Sequence, residues 1–505
     1  MKNIKILTLS ASLLLALTTI TSCAGGSTYE EQYLPSDDPT TTKTIEFWHC
    51  LGKDKTANLE KIVSQFNQTY AGKYEVKLSK IAGDYDALHD AVKTKLAANE
   101  IPALTMGYPD SFAEYMTNDI NDSAIIKLDN FINDATNGYS TAEIEDFVDQ
   151  FYAEGSAYQL QGTWSLPMYK STEIMYYNAS YFAGDNEQNY KKFANDSTFL
   201  SLANAVVTAA ASVTDAQLEA LKTYVDGHSG YTYEVPVTWD DMITVGRKIN
   251  ADRAAQGITG QFYPVGYDSD ANMLISQFAQ RGIPYTVNSE EATQDPSKHF
   301  VFNTPEARAF VSETVGLINE NVLITKGSLG GSKYTNEFFT ARQCAMAIGS
   351  TGGSSYQVSS NFRVSLAPVP YHGTTPKYIM QGPSVCFFNN SDPYIHKGAW
   401  LFYKAMSEPV ANARLALENS YDPVRDSSYE TTDYANWIAR HEADLKYDIP
   451  YHTKDLRAYY ITSPVFVGSS TARTQLGLII QSITNSGYSV EEAFLGAYNT
   501  CVRSV

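Results

Sequence analysis

Ile45-Glu46-Phe47-Trp48-His49 opens the stretch that decides the fold class, which closes at Ala103-Leu104-Thr105-Met106-Gly107. Residues 45–48 read as a buried strand, and Leu59, Ile62, Val63 and Phe66 then recur at helical spacing on one face. Tyr74, Val76 and Leu78 alternate as a second strand, and Leu88, Ala91, Val92 and Leu96 mark a second helix. Residues 103–107 form a third strand after Pro102. This β-α-β-α-β order predicts an α/β architecture on an open, mostly parallel sheet. Ligands of such sheets gather in the crevice at the carboxyl ends of the strands. Binding groups are therefore expected on the loops at 49–55, 83–85 and 108–111.

Helix and strand alternate to the C-terminus. Thr238 and Asp241 flank Trp239 as in a capping box, opening a helix toward Ile249, and another runs from Pro305 through Phe310, Val311 and Ile318. Ala399, Phe402, Tyr403 and Met406 line a further helix, and Ser489 with Glu492 caps the last. Residues 183–236 begin polar, turn Ala-rich with helix expected over 202–225, and read as an insertion on one lobe. No internal repeat is visible.

The chain has 505 residues, enough for about three domains or two large lobes. Hydrophobic residues at 43% and charged residues at 18% exclude wholesale disorder. The net charge of −19 excludes a general basic surface for nucleic acid or anionic lipid, leaving room only for a local basic pocket. Tyr outnumbers Phe and Trp, 36 against 22 and 5, an excess of rings that stack on a ligand and hydrogen-bond its edge.

At the N-terminus, Lys2 and Lys5 precede an apolar run over 6–17, too short to span a bilayer but suited to a secretory signal. The run ends in Ile20-Thr21-Ser22-Cys23, which resembles the bacterial lipobox. That resemblance implies a signal peptide over 1–22, acylation of Cys23 and a body held outside the cytoplasm. Residues 23–42, rich in Gly, Ser, Asp, Glu and Pro, read as a flexible tether. Cys50, Cys344, Cys386 and Cys501 form no C-x-x-C pair and sit mostly in apolar runs, as buried free thiols do; the three possible pairings of four cysteines stay open.

From residue 43 to about 500, apart from the insertion, the chain resembles a family 1 extracellular solute-binding protein of an ABC importer. The nearest branch is that of the maltose-binding and glycerol-3-phosphate-binding proteins. The motifs that carry the likeness run in order. They are Ile45-Glu46-Phe47-Trp48-His49, Phe66-Asn67, Gly83-Asp84-Tyr85, Leu166-Pro167, Ser171-Thr172, Tyr176-Tyr177-Asn178, Thr238-Trp239-Asp240, Phe302-Asn303, Cys344-Ala345-Met346 and Tyr421-Asp422-Pro423-Val424-Arg425. The resemblance implies a two-lobed periplasmic-binding-protein-like fold (type II), joined by three crossings and closing on a solute. Lobe one is expected over 43–155 and 378–415, and lobe two over 156–377 and 416–505. A monomer that hands its solute to ABC permease subunits, without cofactor or metal, completes the implied picture.

Carried over position by position, the ligand residues implied by the resemblance are Tyr85, Ser171, Ser350 or Thr351, Gly382 and Tyr421. Each has a structural alternative: the tyrosines packing with satisfied hydroxyls, Ser171 closing a turn. The branch's acidic ligand residue falls on Pro109, beside Asp110, and its tryptophans fall near 267–271, where Asp268 and Asp270 stand instead. Its phosphate-binding Arg falls near Phe466, with Arg457 and Arg473 close in sequence. Loss of that Arg and a gain of acids disfavour a phosphate and favour a neutral mono- or oligosaccharide. Asp110, Asp268 and Asp270 are thus secondary candidates, with surface solvation as the alternative. His49, at the cleft end of the first strand, is a further candidate, with a capping or core role as the alternative. Asp119, Asn121 and Asp122 lack the Gly and distal Glu of a calcium loop and read as a solvated turn.

Two other classes compete. An exported glycosidase would need a carboxylate pair, and no pair stands out among so many acids; no nucleophile elbow, P-loop or dinucleotide motif is present. A surface adhesin would share the anchor but lack a closing cleft.

Overall fold

The computed structural model describes residues 31–98, 100–116, 123–182, 197–209, 212–228, 233–255, 257–441 and 443–505. The expected signal peptide, Cys23 and the turn at 119–122 lie outside the described residues.

Among the described residues, twelve strands build two main sheets and a small ribbon. The first sheet holds β1 (Lys43–His49), β2 (Tyr74–Lys80), β3 (Leu104–Gly107), β4 (Leu166–Pro167) and β11 (Ser384–Phe387), in the order β2-β1-β3-β11-β4. β1 pairs parallel with β2 and β3, as the β-α-β-α-β reading expects, whereas β11 runs antiparallel to β3 and β4. The second sheet holds β5 (Glu173–Asn178), β6 (Val265–Tyr267), β7 (Leu323–Thr325), β8 (Met346–Ser350) and β9 (Val364–Ala367), in the order β7-β6-β8-β5-β9. β6 is parallel to β7 and β8, and β5 is antiparallel to its neighbours. β10 (Tyr378–Ile379) and β12 (Tyr460–Ile461) form the ribbon.

Each sheet is buried because helices cover it. Ile45 and Phe47 are fully buried on β1, and Phe66 and Phe402 meet edge-on at 5.5 Å, joining the Ala57–Thr69 and Pro393–Met406 helices over the first sheet. Burying such side chains contributes roughly 1.5–3 kcal/mol each. The Trp239–Ala255 helix begins at the expected reciprocal cap, Asp241 N to Thr238 Oγ1 at 3.1 Å and Thr238 N to Asp241 Oδ2 at 3.1 Å. In the described part of the insertion, the Ser197–Ala209 and Asp215–His228 helices pack on each other through Phe199, Ala203 and Leu221.

Two expected boundaries move. Leu166–Pro167, assigned to lobe two by the sequence reading, pairs with β11 in the first sheet, so the first crossing follows residue 167 and not 155. Residues 421–425 also lie on the lobe-one side, where the Arg425 guanidinium stacks 3.6 Å from the Phe147 ring centroid. Residues 31–42 do not behave as a free tether either. Leu34 and Pro39 are buried, and the buried Lys397 ammonium donates to Asp37 O (2.8 Å) and Asp38 Oδ1 (3.0 Å).

The crossings lie side by side. Ser171 and Gln381 exchange two backbone hydrogen bonds at 2.8 Å, and Lys170 pairs with Asp422 through its own N–H (3.0 Å) and C=O (2.5 Å). Lys170, 0% exposed, donates from Nζ to Glu154 Oε2, to Ser384 Oγ (2.9 Å) and to Gly382 O (3.2 Å), satisfying all three ammonium protons. Asp422 accepts from Thr453 Oγ1 (2.7 Å) and Tyr460 OH (2.8 Å), and burial raises its pKa to about 6. A carboxyl raised in the folded state binds its proton more tightly than the unfolded chain does, so its contribution to stability is present at low pH and is lost as pH rises to about 6. Asp422→Asn, which cannot ionise, is expected to gain on the parent protein by on the order of 1–3 kcal/mol between pH 4 and pH 7 in urea unfolding. A pH-independent difference between the two would overturn that assignment.

Candidate ligand-binding cleft

A cavity of about 990 Å³ opens between the lobes at the carboxyl ends of β2, β3, β6 and β8. That is the size of a small-solute site. Lobe one brings Asp84, Tyr85, Asp86 and Tyr108 to it. Gly83, at φ 109°, turns the chain out of β2, and Asp84 caps the Tyr85–Ala97 helix by accepting from Ala87 N at 3.1 Å. Tyr85 is thereby set at the mouth of the helix, its ring 4.7 Å from that of Tyr108, on the loop after β3.

Lobe two faces them with Glu173 at the start of β5, Asp268 after β6, Asp270 on the next helix and Ser350 at the end of β8. Glu173 is 2% exposed; Tyr267 OH (2.5 Å) and Asn272 Nδ2 (2.8 Å) donate to it, and burial pushes its pKa to about 7. Asp268 accepts from Thr335 N (2.8 Å) and Gln357 Nε2 (3.1 Å), and Asp270 from Gly327 N (2.7 Å). Burial raises both, Asp270 to about 6. Surface solvation is therefore not the state of these two acids: they are fixed wall groups. The tyrosines, pushed up by burial, remain protonated donors.

Of the residues expected from sequence, Tyr85, Ser350, Asp268 and Asp270 line the cavity. Ser171, Thr351, Gly382 and Tyr421 gather directly behind it at the crossings. Tyr421 lies beside Tyr85 and Ser171, and its ring is 4.7 Å from that of Tyr169. The Ser171 hydroxyl faces that of Tyr421, and the Thr351 hydroxyl is buried without a hydrogen-bond partner. Gly382 has φ 94°, and a Cβ there would meet Tyr169 O at 2.7 Å and Lys170 Cα at 2.9 Å. Its role is to let two crossings touch. Gly382→Ala should cost about 1–3 kcal/mol in thermal or urea unfolding, since the atoms in the way are backbone; an unchanged melt would refute this.

Two candidates stand elsewhere. His49 is 4% exposed, accepts from Leu51 N at 3.2 Å and stacks on Phe47, so it closes the turn after β1. Asp110 accepts from Ser111 N at 2.9 Å and lines a separate small cavity of about 50 Å³ with Tyr285 and Arg473. Sequence reasoning missed Tyr108, Glu173, Gln357, Gln381 and Arg473, which line the main cavity. Tyr108 was legible, since it follows a strand on a loop already marked as a binding loop. Arg473 corrects the expected loss of a cleft arginine: its guanidinium reaches the wall from the Ser469–Ser486 helix and donates to Asn272 Oδ1.

A model of the family described as bacterial extracellular solute-binding protein matches residues 61–442. The sn-glycerol-3-phosphate-binding periplasmic protein UgpB of Brucella abortus is 24% identical over 210 residues, covering 41% of this chain and 46% of that protein. This chain thus matches about half the length of that curated relative. The cyclic alpha-maltosyl-1,6-maltose binding protein of Arthrobacter globiformis superposes with a TM-score of 0.61 at 17% identity, covering 92% of this chain and 99% of that one. UgpB of Mycobacterium tuberculosis, solved with glycerophosphocholine, gives 0.64 at 14% identity over 91% and 97%. At these identities the structural likeness is one of fold, and that fold is the two-lobed one expected from the sequence.

Proposed function

The chain belongs to the bacterial extracellular solute-binding proteins, and from that membership we propose that it captures a mono- or oligosaccharide in the interlobe cleft and delivers it to the permease of an ABC importer. The family places its work outside the cytoplasm. The observation that carries the saccharide reading is the cavity of about 990 Å³ walled by Tyr85 and Tyr108 on one side and by fixed carboxylates and amides on the other. Tyrosine rings pack on the apolar face of a sugar, and carboxylates accept from its hydroxyls. Closure is a hinge motion, favoured because a ligand touching both walls binds the closed state better. The protein itself carries out no catalysis in this reading and acts as a monomer. Acylated Cys23 anchors it to the membrane; no helix among the described residues is long and apolar enough to cross one.

A glycerol phosphate is the second reading, supported by the curated relative and by Arg473 in the wall. It is less favourable, since six acids (Asp84, Asp86, Glu173, Asp268, Asp270 and Glu337) line the cavity against two cations, Lys326 and Arg473, among its described lining residues. A thermal-shift screen of sugars, polyols and glycerol phosphates decides between them. A sugar is expected to raise the melting temperature; a shift with glycerol-3-phosphate and none with sugars would reverse the assignment. Incorporation of a labelled fatty acid, lost in Cys23→Ser, checks the anchor.

A further inference from the structure

The charge on the two faces of the cleft differs from what a neutral sugar needs. Lobe one contributes Asp84 and Asp86 beside its tyrosines and no cation among the described lining residues. Lobe two contributes Asp268, Asp270 and Glu337, with Glu173, which burial raises to about 7, only partly ionised at neutral pH. Its two cations are already engaged. Lys326 Nζ donates to Tyr334 OH at 2.9 Å and sits 4.1 Å from that ring's centroid. Arg473 donates to Asn272 Oδ1; burial raises the carboxyls of Glu173 and Asp110 near it, and its charge offsets only part of that rise. Hinge closure therefore brings two anionic walls together, a repulsion that a neutral ligand does nothing to relieve.

A second observation is independent of charge. Gln357 lines the cavity, is 2% exposed, and uses its Nε2 on Asp268, while its Oε1 has no hydrogen-bond partner. Gln381 Oε1, also in the lining, is likewise buried and unpartnered. Both vacant atoms are acceptors. An ammonium offers three donors and no acceptor, matching vacant acceptors and excess carboxylate together.

We propose that the solute is a saccharide bearing a protonated amine, an amino sugar or its oligomer, held between the acidic walls with its nitrogen facing Gln357 and the neighbouring carboxylates. The proposal rests on the saccharide reading and narrows it. The rings of Tyr85 and Tyr108 pack on the sugar faces, and the walls select the charge.

Three β-1,4 disaccharides that differ only at C2 test it by titration calorimetry on the purified protein: the glucosamine dimer, its N,N′-diacetyl form and cellobiose. At a pH where the amine is protonated, the glucosamine dimer is expected to bind roughly tenfold or more tightly than either neutral form. Its affinity should fall as salt rises, whereas salt, by screening the walls from each other, should leave a neutral sugar's affinity unchanged or raise it. Asp86→Asn with Glu337→Gln, both exposed wall acids, should shrink the preference for the amine and flatten its salt dependence. A neutral disaccharide binding as well as the glucosamine dimer overturns the amine and leaves the saccharide reading standing. If no saccharide binds and a glycerol phosphate does, both fall.

Discussion

Replacing Lys170 by methionine lowers the unfolding free energy by about 3–5 kcal/mol, the cost of leaving one half of a buried ion pair without the other. Lys170 is fully buried, and Glu154 is 8% exposed. The ammonium has three acceptors, Glu154, Ser384 and Gly382, drawn from lobe one and from the second crossing, while its backbone pairs with Asp422 on the third. Methionine fills the space but strands the carboxylate. The companion variant Lys170→Met with Glu154→Leu should recover most of the loss, because removing both charges removes the desolvation cost as well. Urea unfolding at neutral pH reads both. A single variant within about 1 kcal/mol of the parent would show that the pair does not hold the crossings.

Tyr85→Ala together with Tyr421→Ala should erase the ligand's stabilisation, about 2.7 kcal/mol at a hundredfold excess over Kd. The unliganded melt should fall too, because the two rings pack against Tyr108 and Tyr169. Packing and recognition are separated by Tyr85→Phe with Tyr421→Phe, which keeps the rings and removes only the hydroxyls. That variant is expected to melt close to the parent when empty and to respond weakly to ligand. If the alanine pair kept the full ligand shift, Tyr85 and Tyr421 would not belong to the site.

Tyr85 was readable because a tyrosine in a Gly-x-Tyr turn after a strand stands where such sheets bind ligands, whatever the rest of the chain does. Glu173 was not readable: it is an unremarkable acid at a strand's start until Tyr267 and Asn272, about a hundred residues away in sequence, arrive to hold it. His49 shows the reverse error. Its position at the end of β1 was right, but its ring turned to close its own turn, a choice made by the local backbone and by Phe47. Asp268 and Asp270 were expected as candidates with solvation as the competing state, and burial decided for the wall.

By itself, the amino-acid sequence determined the α/β class, the order of the first three strands, the caps at Thr238 and Ser489 and two of the three loops expected at the cleft, those after β2 and β3. All of these follow from side chains a few residues apart, whose spacing selects helix or strand and whose polar groups cap their own backbone. Only the tertiary structure decided where one lobe ends and how its charges are compensated. Leu166–Pro167 joined the first sheet because β11 was there to pair with it, and Lys397 was buried because Asp37 and Asp38, some 360 residues earlier, came to meet it. The cost of a buried charge depends on which partners chain closure brings within hydrogen-bond reach, and that information resides in the assembled fold and not in any local stretch.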